Sequence, residues 1–337
     1  MKLETTYNSR RNFLIDFVRV MFAVQIVMLH TSPFIEYNSY LSYIVCHVYS
    51  RLAVPFFAAI SGYYLFQDYS IENALLYTKK ILITYVFWNS LSCLIDICFG
   101  YTEGNIFVFL VNAFLVKGQH ALWYMLALIY TVLLTIVVYK FNVRRSFLFG
   151  GSLVLLLIGI ATNAYGNLFF KIDSIKYAFG FLNTDMSTGL PFVVIPYFAM
   201  GWLLKCHEKT RREKNNWRLF SLCVIAYTVE VFFITVTDIH FSNISCLMTY
   251  PTIYFLISAL LCSKKKFKSN LFLLLSPIAN IIYYAHSLLL YLIPSVLKVF
   301  FDTPISNTLL FLVIISVLVP LSCILAYNKK GIIRVIV

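Results

Sequence analysis

Long runs of apolar residues, separated by short polar segments, dominate this chain. A helix needs about 20 apolar residues to cross the hydrocarbon core of a bilayer, and ten runs have about that length. The pattern predicts an all-α fold: a polytopic integral membrane protein with about ten transmembrane helices. The predicted spans are Asn12–Pro33, Tyr43–Phe66, Lys79–Gly100, Ala121–Lys140, Ser146–Ala164, Gly189–Cys206, Trp217–Thr237, Ile244–Cys262, Leu271–Ile293 and Ile305–Tyr327. A further run, Ile106–Val116, is too short to cross and is expected to be re-entrant or interfacial.

Composition supports the membrane interpretation. Of the 337 residues, 61% are hydrophobic and 12% are charged, whereas soluble domains average about 45–50% apolar and about 25% charged residues. One soluble core of this length could not bury so much apolar surface. Soluble, disordered and disulfide-scaffold classes are therefore excluded, and residues 1–337 are expected to form a single membrane-embedded domain.

The basic residues predict the orientation of the spans. The chain has 27 Lys and Arg against 14 Asp and Glu. Twenty-one of the basic residues fall in one alternating set of loops, and the opposite set holds only Lys117, Lys171, Lys176 and Lys298. By the positive-inside rule, both termini are cytoplasmic, with residues 1–11 and 328–337 as cytoplasmic segments. The excess of positive charge thus reflects topology, and nucleic acid is not expected as a partner.

No metal site is predicted. The eight cysteines form no CxxC pair and no Cys/His spacing typical of a metal centre. Nearly all of them lie in or at the ends of apolar runs, where a free cysteine serves as a small hydrophobic residue.

The first span carries the most informative polar residues. A charge in the bilayer core costs about 2.5–3.5 kcal/mol on insertion scales, and such residues usually face the bundle interior and mark function. Arg19 and His30 are eleven positions apart, which at 100° per residue places them on one helix face, about 16 Å apart along the axis. Asp16 is close enough to pair with Arg19. We therefore take His30, Arg19 and Asp16 as candidate catalytic residues, with an anion held near the cytoplasm and proton transfer nearer the outer side.

Other spans add candidates for substrate binding in the outer half. They are Arg51 and Ser61 in the second span, Trp123 and Tyr124 at the start of the fourth, and His286 in the ninth. Arg51 could instead be paired and serve only to hold helices together. Trp123 and Tyr124 could equally belong to an interfacial aromatic belt. Two further intramembrane acids, Asp96 and Glu230, have no role that the sequence assigns.

Several motifs, in order, resemble those of the acyltransferase 3 family of bacterial integral-membrane acyltransferases. The spacing from Arg19 to His30 resembles the R-x10-H motif of the family's first span. Residues 51–57, RLAVPFF, continuing to Ser61-Gly62-Tyr63-Tyr64, are similar to its second-span motif. Weaker likenesses follow in order: Leu122-Trp123-Tyr124, Pro196-Tyr197-Phe198 with Gly201, and Tyr284-Ala285-His286. The likeness covers essentially the whole chain.

The resemblance implies ten membrane helices in the bacterial inner membrane. It also implies transfer of an acyl group, usually acetyl, from cytoplasmic acyl-CoA to a hydroxyl of an extracytoplasmic or lipid-linked cell-surface glycan. The first-span histidine is implied to be catalytic, and the family's arginines are implied to hold the donor. The chain departs from the family at the R-x-x-R pair before the third span, where it has Lys79 and Lys80. With Arg19, these lysines are the candidate binding residues for acetyl-CoA, although lysine binds phosphate as a point charge rather than through two parallel bonds.

For the O-acetyltransferase that the resemblance implies, we assign His30 as the general base, because an unperturbed imidazole titrates near neutral pH. An acyl-histidine intermediate is the alternative mechanism. The alternative function is a secondary transporter or glycan flippase, in which the intramembrane charges would line a substrate path. A membrane structural or sensor protein is a third class, but such a protein does not explain why several polar groups are aligned. Capsule, O-antigen, teichoic acid and peptidoglycan all stay open as acceptors.

Overall fold

In the computed structural model, residues 12–102, 104–162, 164–166, 189–208, 213–237, 246–263, 270–301 and 305–328 are described. This part of the chain is helical and contains no strand. Its main helices are α1 (Phe13–Thr31), α2 (Ser39–Asp68), α3 (Ile71–Cys98), α4 (Ile106–Val116), α5 (Trp123–Lys140), α6 (Arg145–Thr162), α7 (Leu190–Cys206), α8 (Glu213–Val236), α9 (Thr249–Cys262), α10 (Leu275–Phe301) and α11 (Asn307–Tyr327). The predicted terminal segments, residues 1–11 and 328–337, lie outside the described residues, apart from Asn328.

The helices agree with the predicted polytopic fold. Within the described ranges, seven helices are long and apolar enough to cross a membrane: α1, α2, α3, α5, α8, α10 and α11. Three of the shorter apolar helices, α6, α7 and α9, coincide with the fifth, sixth and eighth predicted spans. The fourth of these shorter helices, α4, is the run predicted to be too short to cross. The chain is a multi-pass membrane protein, and the number of ten crossings and the side of the termini stay predictions.

Two helix boundaries differ from the sequence-based expectation. Helix α3 begins at Ile71, not at Lys79, because the Ser70 hydroxyl accepts a hydrogen bond from the Asn73 backbone N–H at 3.0 Å. This N-cap starts the helix before the apolar run begins. Lys79 therefore lies within α3 rather than at its start. Helix α10 continues through Pro294 to Phe301, and a membrane helix tolerates an internal proline where neighbouring groups satisfy the freed carbonyl.

The described chain divides into two compact units, which interleave along the sequence. The first consists of residues 1–53, 86–106 and 260–337, and the second of residues 54–85 and 107–259. In the first unit, α10 and α11 pack against α1 and against each other. Asn12 caps α1 by accepting the Leu14 backbone N–H at 2.9 Å, and its amide donates to the Leu260 carbonyl at 2.7 Å.

The first part of α2 is not a regular α-helix. It runs as a π-helix over Tyr43–Val48 and as a 3-10 turn over Tyr49–Leu52 before α-helical geometry resumes at Ala53. Pro55 contributes no backbone N–H, so the carbonyl of Arg51 cannot form its usual helical bond. Irregular turns of this kind occur frequently at functional sites. The 3-10 turn that carries Arg51 packs against α1.

In the second unit, α2 and α7 approach closely through glycines. A Cβ atom on Gly62 would lie 2.2 Å from the Phe198 carbonyl oxygen, and one on Gly201 would lie 2.2 Å from the Ala59 carbonyl oxygen. Small residues allow such backbone contact between membrane helices. Gly62 and Gly201 therefore hold the backbones of α2 and α7 in close contact.

Candidate functional site

The guanidinium of Arg19 is held by two neutral groups on α10. Its Nη1 donates to the Ser276 hydroxyl at 2.7 Å, and its Nη2 donates to the Asn280 side-chain oxygen at 2.9 Å. The nearest Asp16 carboxylate oxygen is 3.6 Å away, and the Asp16 and Arg19 side chains are 5% and 17% exposed. The predicted ion pair is thus present, at a distance longer than that of a charge-assisted hydrogen bond, and the two shorter contacts orient the guanidinium.

The second polar group of α1 lies next to another histidine of α10. The ring centroids of His30 and His286 are 5.5 Å apart, with an interplanar angle of 32°. His30 is exposed, whereas His286 is completely buried. Both Arg19 and His30 therefore contact α10, and one face of α1 carries both side chains.

His286 is anchored within its own helix. Its Nδ1 lies 2.6 Å from the Tyr283 carbonyl oxygen. Because a carbonyl can only accept a hydrogen bond, Nδ1 carries the proton in the neutral ring. Its Nε2 is buried and has no hydrogen-bond partner among the described residues.

The loop that follows His30 is tied to the irregular part of α2. The Ser32 hydroxyl is 3.0 Å from His47 Nε2, and the Ser42 hydroxyl donates to the Ser32 carbonyl at 3.3 Å. Ser32 and Phe34 have φ values of 46° and 70°, which non-glycine residues seldom adopt and which cluster at functional sites. Arg51 follows His47 by one turn in this irregular segment, in the same unit as His30.

The remaining candidates belong to the second unit. The Tyr124 side chain is only 6% exposed and its ring lies 6.5 Å from that of Phe57, so Tyr124 packs inside the unit rather than in a lipid-facing belt. Trp123 fills the space where a Cβ on Gly189 would be. Ser61 is partly buried on α2. Lys79 and Lys80 are exposed on α3.

Glu230 receives a structural explanation. Its two carboxylate oxygens accept the backbone N–H groups of Leu247 and Met248 at 2.6 and 2.7 Å, just before α9 begins, and one also accepts the Tyr165 hydroxyl at 2.7 Å. Burial and this carboxylate both raise the pKa of Tyr165, which keeps it a hydrogen-bond donor. Asp96 is also buried, in the half of α3 that belongs to the first unit.

Ser276 and Asn280 are site residues that the sequence reasoning missed. Both lie in the ninth predicted span, four positions apart, and therefore on one helix face. Polar residues at that spacing inside an apolar span are a usable signal for such a pair of partners. Among the described residues, no group of three or more His, Cys, Asp and Glu side chains is arranged to hold a metal ion.

An all-helical membrane protein with an oriented arginine and an exposed histidine on one helix face is suited to chemistry on a polar substrate within the bilayer. The acyltransferase-domain family Acyl_transf_3 matches residues 12–327, which is nearly the whole chain. The chain therefore belongs to this family of acyltransferase domains.

Two curated relatives match the chain at low sequence identity. Both are named amino-acid racemase and come from Enterococcus faecalis; each is 25% identical, over 268 residues (76% of this chain) in one case and over 340 residues (95% of this chain) in the other. The matches cover 37% and 47% of those proteins, so this chain spans less than half the length of the curated relatives it matches. No solved structure matches the chain.

Proposed function

We propose that this membrane acyltransferase moves an acetyl group from cytoplasmic acetyl-CoA to a hydroxyl of an extracytoplasmic or lipid-linked cell-surface polysaccharide, in the inner membrane of a bacterium. The observation that supports this proposal best is the shared face of α1. Arg19 is held by Ser276 and Asn280 at one level, and His30 is exposed about 16 Å further along the axis.

His30 acts as the general base. Its imidazole removes the proton from the acceptor hydroxyl as the oxygen attacks the carbonyl carbon of the thioester. The tetrahedral intermediate then collapses, the carbon–sulfur bond breaks, and an ester forms. The departing CoA thiolate receives the proton that His30 had taken, so the enzyme returns to its starting state.

Arg19 binds the anionic donor. Ser276 and Asn280 orient its guanidinium, which would bind a phosphate group of the donor. Asp16 helps to orient Arg19 across 3.6 Å. Lys79 and Lys80 are exposed and would attract the phosphates of acyl-CoA as point charges.

The acceptor and the acyl group are positioned by Arg51, Ser61, Trp123 and Tyr124. A guanidinium and a hydroxyl can hydrogen-bond sugar oxygens, and aromatic side chains combine an apolar body with a polar tip. His286 receives a different assignment below.

The test is acetylation measured in membranes that contain the full-length protein, radiolabelled acetyl-CoA and the native glycan. The His30→Ala variant at normal expression should lose at least about 100-fold of the rate, the usual contribution of a general base. His207→Ala, a histidine at the end of α7 in the second unit, is the matched control and should keep wild-type labelling.

Full labelling by the His30→Ala variant would contradict the assignment of the base. Absence of label with the wild-type protein, together with loss of glycan export on deletion, would instead indicate a transporter.

A further inference from the structure

The Nε2 atom of His286 is a polar atom in an enclosed position. No part of the His286 side chain is exposed, and no described residue hydrogen-bonds Nε2. Buried polar atoms are nearly always hydrogen-bonded, and each exception calls for an explanation such as a catalytic role.

The protonation of this ring is determined by its anchor. The bond to the Tyr283 carbonyl at 2.6 Å places the proton on Nδ1, so Nε2 of the neutral ring carries a lone pair. Nε2 can therefore accept a hydrogen bond but cannot donate one. Because the Tyr283 carbonyl belongs to the helix backbone, its hydrogen bond to Nδ1 limits rotation of the imidazole.

His30 is placed to use that lone pair. The His30 ring is 5.5 Å from the His286 ring, centroid to centroid, and the Tyr283 ring is 5.8 Å from it. Because His30 is exposed and His286 is fully buried, His30 is the histidine of this pair that a substrate can reach.

We infer that His286 is a positioning residue for His30, an inference that rests on the proposed acyl transfer. When His30 holds the hydroxyl proton, both of its ring nitrogens carry hydrogen, and Nε2 of His286 accepts one of these N–H groups. His286 gains and loses no proton, so the proton balance of the transfer is unchanged. A base that is oriented by a third group is a general device in acyl-transfer enzymes, and such bonds often tighten only when substrate binds.

Several other ionisable groups also lie in the first unit. The irregular part of α2 carries His47 and Arg51, α3 carries Asp96, and α1 itself carries Arg19 about 16 Å away. Nε2 of His47 is already 3.0 Å from the Ser32 hydroxyl. None of these groups replaces the buried lone pair of His286.

Three substitutions separate the two nitrogens of His286. His286→Gln keeps an acceptor near the Nε2 position, His286→Asn keeps a donor near the Nδ1 position, and His286→Phe keeps only the ring volume. If Nε2 positions His30, kcat falls about tenfold in the Asn and Phe variants, the loss expected for one hydrogen bond, and stays near wild type in the Gln variant. KM for acetyl-CoA should stay unchanged in all three.

The opposite ranking would overturn the inference. Asn equal to or better than Gln would show that the anchor to Tyr283 matters and Nε2 does not. Equal activity, or equal loss, in all three variants would also overturn it. Thermal unfolding of each purified variant identifies any loss that comes from misfolding.

A second readout does not need the proposed function. Diethyl pyrocarbonate modifies neutral, accessible imidazoles, so His30 should react while His286 stays protected, and mass spectrometry of the α1 peptide measures the rate. The pH at which His30 modification is half-maximal should move in the Phe and Asn variants and not in the Gln variant. If the wild-type protein transfers no acyl group, the proposed function fails, but this measurement still tests whether His286 acts on His30. An unchanged pH midpoint of His30 modification in the Phe variant would contradict the inference.

Discussion

Arg19 in the first unit and Glu230 in the second are both charged side chains within predicted membrane spans, but their surroundings differ. The Arg19 guanidinium is held by neutral side-chain oxygens of α10. The Glu230 oxygens accept two backbone N–H groups before α9 and a tyrosine hydroxyl. Glu230 thus satisfies backbone groups at the start of a helix, whereas Arg19 is oriented by side chains of another helix. The kind of partner therefore separates an intramembrane charge with a structural role from one that we assign to the site.

The largest effect should come from Arg19. The Arg19→Gln variant should fold and should lose about 100-fold in acetyl transfer at low acetyl-CoA, because it removes a charged group that binds the donor, and a hydrogen bond between charged groups contributes about 1.5–3 kcal/mol. Glycan labelling and the thermal unfolding midpoint should be measured on the same preparation. A variant with normal transfer would remove the functional half of the comparison.

Glu230 should show the reverse pattern. Glu230→Ala removes two hydrogen bonds from backbone N–H groups just before α9 and one from the Tyr165 hydroxyl. It should lower the free energy of unfolding by about 2 kcal/mol, the upper range for the loss of a helix cap. The kcat of the folded fraction should stay at the wild-type value. Thermal unfolding in detergent measures the first quantity, and labelling corrected for folded protein measures the second. A selective loss of kcat at unchanged stability would place Glu230 with the functional residues.

A smaller effect should distinguish two serines of α10. Ser276→Ala removes the acceptor for Arg19 Nη1 and should raise KM for acetyl-CoA about tenfold, as expected for one bond to a charged group. Ser287→Ala is the matched control, because the Ser287 hydroxyl donates only to the Tyr284 carbonyl of its own helix. Equal KM values in the two variants would mean that Ser276 does not orient Arg19.

Much of this arrangement follows from the sequence because it depends on local geometry. The apolar runs predict the helices, and the eleven-residue spacing predicts that one face of α1 carries Arg19 and His30. The partners on α10 do not follow, because they depend on which helices pack together. The backbone partners of Glu230 were unpredictable for the same reason.

Helix boundaries show a second limit of sequence reasoning. The early start of α3 depends on the hydroxyl of Ser70, which is outside the apolar run that defined the predicted span. The continuation of α10 through Pro294 depends on neighbouring structure, which can compensate for a lost helical bond. A serine hydroxyl determines where α3 begins, and α10 continues past a proline that the surrounding structure tolerates. Hydropathy registers neither effect.

The geometry of α1 also limits how this helix can vary. One residue inserted between Arg19 and His30 would rotate His30 by 100° relative to Arg19 and move it by only 1.5 Å along the axis. His30 would then point away from α10, although every side chain of the site was still present. The apolar residues among the ten intervening positions can therefore exchange for other apolar residues, but insertions and deletions between Arg19 and His30 should be as damaging as loss of the histidine itself.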